Sequence, residues 1–92
     1  MLSNLTNDLK LNAYARILIA ISKQRGESKT RLGKMVDLTY SHTIQVLLKL
    51  EECGLAYSTK KGRVSSIDLT EDGLLVADYF DRIETILLRH KQ

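Results

Sequence analysis

Apolar residues recur along this chain with two different periods, and the change from one to the other falls at Gly54. Ahead of it they come every three or four residues, the spacing of a helix that buries one face. Leu11, Tyr14, Leu18 and Ile21 define a first helix, capped by Asn7 or Asp8 and running to about Gln24. Arg25-Gly26 ends it, with Gly26 as the left-handed residue after the cap. A short second helix covers about Thr30 to Val36, with Leu32, Met35 and Val36 as its apolar contacts. Asp37-Leu38-Thr39 reads as a tight turn that buries Leu38. Thr39 then caps a third helix from about Tyr40 to Cys53, which Gly54 stops. Beyond Gly54 the period drops to two: Leu55, Tyr57 and Thr59 alternate with Ala56 and Ser58, and Ile67 and Leu69 flank Asp68. Lys60-Lys61-Gly62-Arg63 lies between the two runs as a hairpin turn. Thr70 caps a last helix whose first turn holds Glu71 and Asp72, carboxylates favoured at the positive end of a helix dipole, and which continues to about Arg89 or His90.

Helix, helix, turn, helix, hairpin, helix is the order of a winged helix-turn-helix, so the fold class expected is mainly α with a small β-hairpin. In that architecture the third helix enters the major groove and its first residues meet base edges. The third helix here opens in an unusual way. Thr39, Tyr40, Ser41, His42 and Thr43 are hydrogen-bonding residues that propagate a helix poorly, and a strongly helical apolar run follows them. Thr43, Val46, Leu47 and Leu50 are spaced to face a core, which leaves His42, Gln45, Lys49 and Glu52 opposite, with Tyr40 and Ser41 at the exposed start. The polar front end is then a reading surface and the apolar back end its anchor.

Charge sharpens this picture more than composition does. The 92 residues, 43% hydrophobic and 27% charged, make one ordinary globular domain over 1–92, with residues 1–7 as an arm and 70–90 as the closing helix. The net charge of +3 is unevenly spread. Residues 23–63 hold nine bases against four acids, a net of +5, and residues 64–92 hold six acids against three bases, a net of −3. A basic middle fits polyanion contact. Lys60, Lys61 and Arg63 would meet the backbone or the minor groove, and Lys29, Arg31 and Lys34 would brace the neighbouring strand. The plain alternative is two solvated faces with no partner.

Several classes fall away. One cysteine makes neither an intrachain disulfide framework nor a multi-cysteine zinc site, and Cys53, at a helix end, reads as a small core filler, with a redox role as the minor alternative. No cofactor or metal is expected, since His42 and His90 lie far apart and there is no glycine-rich phosphate loop and no nucleophile–base pairing; an enzyme is the least favoured class. No run approaches the ~20 apolar residues of a membrane span, and the N-terminus lacks a signal-peptide layout, so a cytoplasmic, nucleoid-associated protein is the simplest expectation.

The run KTRLGKMVDLTYSHTIQVLLKLEECGLA, followed by the hairpin and LTEDG, resembles the winged-helix domain of archaeal transcription regulators. Their pattern is Lys-Thr-x-Ile/Leu, Asn-Leu-Ser-Tyr, a Leu-rich helix ending Glu-x-Gly-Leu, then Leu-Thr-x-x-Gly. It is met here by Lys29, Thr30, Leu32, Leu38, Thr39, Tyr40, Leu50, Glu51, Gly54, Leu55, Leu69, Thr70 and Gly73. The chain departs at Asp37, usually Asn, and at Cys53, usually charged; an acid at 37 weakens any phosphate contact there. More loosely the chain resembles MarR-type repressors and small archaeal chromatin-associated proteins that dimerise through a long C-terminal helix. The resemblance implies a homodimer on double-stranded DNA, most simply a repressor. A sequence-indifferent architectural protein and a winged-helix protein adaptor stay open beside it.

The last helix carries its own signal. Val76, Phe80, Ile83, Leu87 and His90 step by four and three, the seam of a coiled coil, and Leu75, Tyr79 and Ile86 form a second stripe. One stripe is expected to pack inward and the other against a second subunit, with Leu2 and Leu5 of the arm covering the same interface. The helix, about 30 Å long at ~1.5 Å per residue, would set two reading heads apart by about one turn of DNA, ~34 Å.

Overall fold

The computed structural model describes residues 12–90. Four helices and one hairpin follow in the expected order: α1 (Ala13–Lys23), α2 (Lys29–Met35), α3 (Tyr40–Glu52), β1 (Ala56–Lys61), β2 (Val64–Leu69) and α4 (Glu71–Arg89). Each helix begins at a residue whose side-chain oxygen accepts the backbone N–H three positions on: Asn12 from Ala15, Ser28 from Arg31, Thr39 from His42 and Thr70 from Gly73. These caps satisfy donors that have no partner inside the helix. Asn12 caps α1 where Asn7 or Asp8 was expected; those two positions, Leu11, the arm and its Leu2 and Leu5 lie outside the described residues. Ser28 caps the second helix, which starts at Lys29, one residue before the expected Thr30 boundary.

Two helices end in the same way. After α3, the Gly54 N–H meets the Glu51 carbonyl at 3.0 Å and the Leu55 N–H meets the Leu50 carbonyl at 2.9 Å, a Schellman ending with a left-handed Gly54 (φ 75°). After α2, the Leu38 N–H meets the Gly33 carbonyl at 2.8 Å and the Asp37 N–H meets the Lys34 carbonyl at 3.3 Å, again around a left-handed residue. That residue is Asp37, φ 59°. Asp and Asn are the non-glycine side chains that tolerate this region best, so Asp37 suits the turn. The turn is tied to α1 as well, because Arg16 donates through Nη1 to the Val36 carbonyl at 3.2 Å.

The core gathers Ile17, Leu18 and Ile21 of α1, Leu32 of α2, Val46, Leu47 and Leu50 of α3, Ala56, Ile67 and Leu69 of the hairpin, and Ala77 of α4. Thr43 is buried on the same face of α3, its hydroxyl donating to the Thr39 carbonyl at 2.8 Å. Leu38 packs partly against this core. Four expectations need correction. Tyr14 is exposed, and the buried face of α1 is Ala15, Ile17, Leu18, Ile19 and Ile21, broader than its spacing predicted because α2, α3, β2 and α4 all pack on this one helix. Met35, the last residue of α2, is exposed. Cys53 is exposed and fills no core, since it caps α3 where the chain turns outward to Gly54. Gly26 is left-handed as expected (φ 72°) but lies two positions past the α1 cap residue Gln24, not directly after it.

The hairpin differs more. Its strands pair from Ala56↔Leu69 out to Lys61↔Val64, so Lys60 and Lys61 belong to β1 and only Gly62 and Arg63 make the turn. Gly62, with φ 61°, supplies the positive φ a two-residue hairpin loop requires. Ala56, Ile67 and Leu69 are buried while Tyr57 is exposed, so alternation places Ala56, Ser58 and Lys60 on the inner side and Tyr57, Thr59 and Lys61 on the outer. A third segment joins the sheet: Ser28 bridges Ser66, and the Ile67 N–H donates to the Glu27 carbonyl at 3.1 Å. The α2 cap is thereby fixed against the wing.

At the start of α4, Gly73 faces the backbone of Leu55, where an added Cβ would stand 1.9 Å from the Leu55 carbonyl oxygen. The close approach lets Thr70 bond both carbonyls of the preceding turn, its N–H to Leu55 at 3.1 Å and its hydroxyl to Gly54 at 2.7 Å. Further along, Ala77 is buried and Leu74, Val76 and Phe80 pack against the core. Leu75, Tyr79, Ile83 and Ile86 are 44–60% exposed. Ile83 therefore joins the outer stripe instead of Val76 and Phe80, because a straight helix at 3.6 residues per turn drifts away from a strict 3.5 seam. Leu87 is half-buried and His90 exposed. No helix among the described residues is long and apolar enough to cross a membrane.

Candidate nucleic-acid interface

With Thr43, Val46, Leu47 and Leu50 turned to the core, the line of α3 farthest from it at about 100° per residue runs through Ser41, Gln45, Leu48 and Glu52. Ser41, Gln45 and Glu52 on this line are exposed, and so is Leu48. His42 and Lys49, also exposed, flank the line on one side, and Tyr40 and Ile44 on the other. Sequence reasoning placed His42, Gln45, Lys49 and Glu52 on this face, with Tyr40 and Ser41 at its start, and missed Leu48. The signal was available in the same periodicity, because Leu48 lies one residue off the Val46-Leu47-Leu50 core set.

On the Tyr40 side an open cleft of about 300 Å³ separates α3 from the wing. It is lined by Ser28, Lys29 and Thr30 at the start of α2, by Tyr40 and Ile44 of α3, and by Arg63, Val64 and Ser65 at the hairpin tip. Three regions singled out separately in the sequence thus meet at one place: Lys29, Tyr40 and Arg63 share the cleft. The strand pairing Lys60↔Ser65 sets Lys60 on the sheet face of Ser65, one of the lining residues, and Lys61 on the opposite face. On the other flank, Gln45, Leu48, Lys49 and Glu52 line a groove with Tyr14 of α1. Thr39 is committed locally, its hydroxyl oxygen accepting the His42 N–H at 3.2 Å and its carbonyl the Thr43 N–H at 2.9 Å.

The basic side chains divide by their partners. Arg31 lies 3.7 Å from Glu27 and Lys49 lies 3.5 Å from Glu52, so part of their charge is answered within the chain. Among the described residues no carboxylate stands within ion-pair distance of Lys29, Lys34, Lys60, Lys61 or Arg63. Arg25 is different: its guanidinium hydrogen-bonds the Asp68 carboxylate, which raises its already high pKa and pins the α1–α2 loop to β2. Lys23 reaches Asp81 of α4 at 3.6 Å. Lys29 and Lys34 of α2 and Lys60, Lys61 and Arg63 of the hairpin thus carry charge unanswered among the described residues, as does Arg89 of α4, while Lys23 and Arg25 tie α1 and the loop after it to α4 and β2. Among the described residues no group of three His, Cys, Asp or Glu side chains forms a metal site.

No protein-family model and no curated protein matches the sequence. Solved structures do match. The transcriptional regulator PcaV of Streptomyces coelicolor, solved with its natural ligand, superposes with a TM-score of 0.79 at 22% identity, over 95% of this chain and 67% of that one. FabT of Streptococcus pneumoniae, solved in complex with DNA, gives 0.74 at 18% identity over 87% of this chain and 59% of FabT. AF1382 of Archaeoglobus fulgidus gives 0.80 at 21% identity over 88% and 93% of the two chains. The fold is that of winged-helix regulators. At these identities the likeness is one of fold, and the chain spans about three fifths of FabT and two thirds of PcaV.

Proposed function

We propose that this chain is a transcription regulator that binds double-stranded DNA as a homodimer and acts most simply as a repressor, by occupying its site. The observation that carries this reading is the cleft shared by Lys29, Tyr40 and Arg63, which opens beside a polar α3 face and is rimmed by cations without internal partners. The width of an α-helix suits the major groove. With α3 there, Lys29, Arg31 and Lys34 lie along one strand and Lys60, Lys61 and Arg63 along the other or in the minor groove. Thr39 caps the helix, while Tyr40 and Ser41 touch phosphates and fix the register without choosing sequence. His42 and Gln45 meet base edges, Gln45 with the geometry for adenine. Lys49, shared with Glu52, adds a weaker backbone contact. FabT, which shares this fold, is solved in complex with DNA, and this supports duplex binding.

The second copy meets the first through α4. Leu75, Tyr79, Ile83 and Ile86 form an outer apolar stripe that continues round the helix through Val76, Phe80 and Leu87 into the core. A contiguous face of that kind on a small domain marks an association surface. His90 lies at its far end.

One observation favours a protein adaptor instead, the exposure of Tyr40, Leu48 and Val64 on the same side of the molecule. Tyr40 and Val64 line one cleft and Leu48 another, joined only by half-buried Ile44 on the same row of α3, and Ser41, Gln45 and Lys49 make the rest of that face polar. Selection from a pool of random duplexes tests the choice. An enriched sequence with two half-sites about one helical turn apart supports the dimeric regulator; retention of all duplexes alike points to an architectural protein, and failure to bind any duplex refutes the proposal in favour of the adaptor.

A further inference from the structure

Leu48 occupies the middle of the most exposed line of α3, between Gln45 and Glu52, with 53% of its surface open. The neighbouring leucine, Leu47, is buried, and so is Leu50. Leu48 is not part of the core cluster; it lines the α1-side groove with Tyr14, itself half-exposed, and follows half-buried Ile44 by one turn of α3. A half-bare leucine at the centre of a face otherwise built of Ser41, Gln45 and Glu52 has one apolar feature to meet in a major groove. That feature is the C5 methyl of thymine, since the other base edges there present hydrogen-bond donors and acceptors.

We infer that Leu48 is a specificity residue that reads a thymine methyl group beside an adenine held by Gln45, so that the core of the recognised element contains A·T pairs; this rests on the DNA-binding reading above. Gln45 and Leu48 are three residues apart on one line, about 4.5 Å along the helix axis at ~1.5 Å per residue. That is close to the ~3.4 Å step between bases along a strand. An α3 lying along the groove therefore places the two side chains over the same base pair or adjoining pairs. Gln45 chooses adenine through paired hydrogen bonds to its N6 and N7. Leu48 separates thymine from cytosine, which has no methyl group in that position. Ser41, one turn before Gln45, faces the next phosphate or pair and adds position without choice.

The test uses the full chain and synthetic duplexes. After enrichment from a random pool, each thymine of the preferred sequence is replaced in turn by deoxyuridine, which lacks only the methyl group. Wild type is expected to lose about fourfold in affinity at one position next to a preferred adenine, the ~0.8 kcal/mol of one buried methyl-sized group expressed as a ratio. The variant Leu48→Ala should bind the thymine and uracil duplexes equally. Leu48→Gln, with a polar side chain at the same exposed site, should lose the same sensitivity. Wild-type indifference to every uracil replacement overturns the inference, as does a Leu48→Ala variant that stays uracil-sensitive. An absence of any enriched sequence also overturns it. Duplex binding without uracil sensitivity leaves the DNA-binding reading intact and makes Leu48 a protein-contact residue; loss of all duplex binding refutes both together.

Discussion

Replacing Lys60 and Lys61 together by alanine isolates the contribution of the wing. Both side chains are exposed on β1, neither has a carboxylate partner among the described residues, and their removal leaves the core untouched. Each phosphate neutralised on duplex DNA contributes about −0.9 to the slope of log affinity against log salt. Two lysines per protomer then carry about −1.8, and the two protomers of a dimer about −3.6. Across a rise from ~50 to ~200 mM salt, the double variant should lose about 150-fold less affinity than wild type does. Fluorescence anisotropy of a labelled random duplex over a salt series measures this directly. The ion pairs supply the control: Arg31 and Lys49 are already answered by Glu27 and Glu52, so Arg31→Ala or Lys49→Ala should change the slope less than half as much per residue as a wing lysine. An unchanged slope in the wing variant would remove the hairpin from the DNA surface. A change at Arg31 as large as at Lys61 would refute the use of internal pairing to rank the cations.

Three further outcomes follow from the same structure. Ile83→Glu places a charge in the outer stripe of α4, where Ile83 is exposed in one protomer, so thermal stability of the isolated fold should shift by less than ~0.5 kcal/mol while sedimentation shows the wild-type dimer become a monomer; a wild type already monomeric at micromolar concentration would end the dimer proposal. Gly73→Ala forces α4 away from the Leu55 carbonyl and loosens the two Thr70 bonds, which should destabilise the chain by about 2–3 kcal/mol and lower its melting temperature by roughly 10–20 °C; a melting temperature within a few degrees of wild type would contradict the contact. Thr39→Ala removes the α3 cap and should cost about 1 kcal/mol by chemical denaturation without changing the sequence enriched from a duplex pool; an altered sequence would make Thr39 part of the reading surface.

The fold was legible because local and long-range signals agree along most of the chain. The cap residues Thr39 and Thr70, the stop at Gly54 and the inward face Thr43-Val46-Leu47-Leu50 each follow from one helical turn of sequence, and no neighbouring element overrides them. What depended on tertiary packing was harder to read. The burial of α1 on several sides cannot be inferred from a stripe, and a residue such as Ile17, polar-flanked by Arg16 in sequence, is enclosed only because α4 and β2 arrive there. The bridge from Ser28 to Ser66 joins segments far apart in sequence, and nothing local at Glu27-Ser28 marks a strand. Cys53 illustrates the reverse error: an apolar residue type at a helix end was read as buried, whereas the Schellman turn that follows directs the chain, and Cys53 with it, to the surface.

The candidate interface was legible in its parts but not in its geometry. Basic residues at 29–34 and 60–63 and polar ones at 39–45 stand out in the sequence, yet only the packing of α2, α3 and the hairpin brings Lys29, Tyr40 and Arg63 to one cleft. Strand register then separates Lys60 from Lys61, which adjacency in sequence had joined, because neighbours in a β-strand point to opposite faces. The same logic accounts for Leu48. Counted as one of a run of apolar positions it belongs to the core, but a helix can turn only about half its surface inward, and Leu47 and Leu50 already fill the inner half. A fourth apolar residue on the outer half costs solvation as long as it faces water. On the proposed reading, contact with a base edge beside Gln45 and Ser41 is the state in which that cost is relieved, and the uracil series tests whether the exposure of this one side chain answers to the choice of one base.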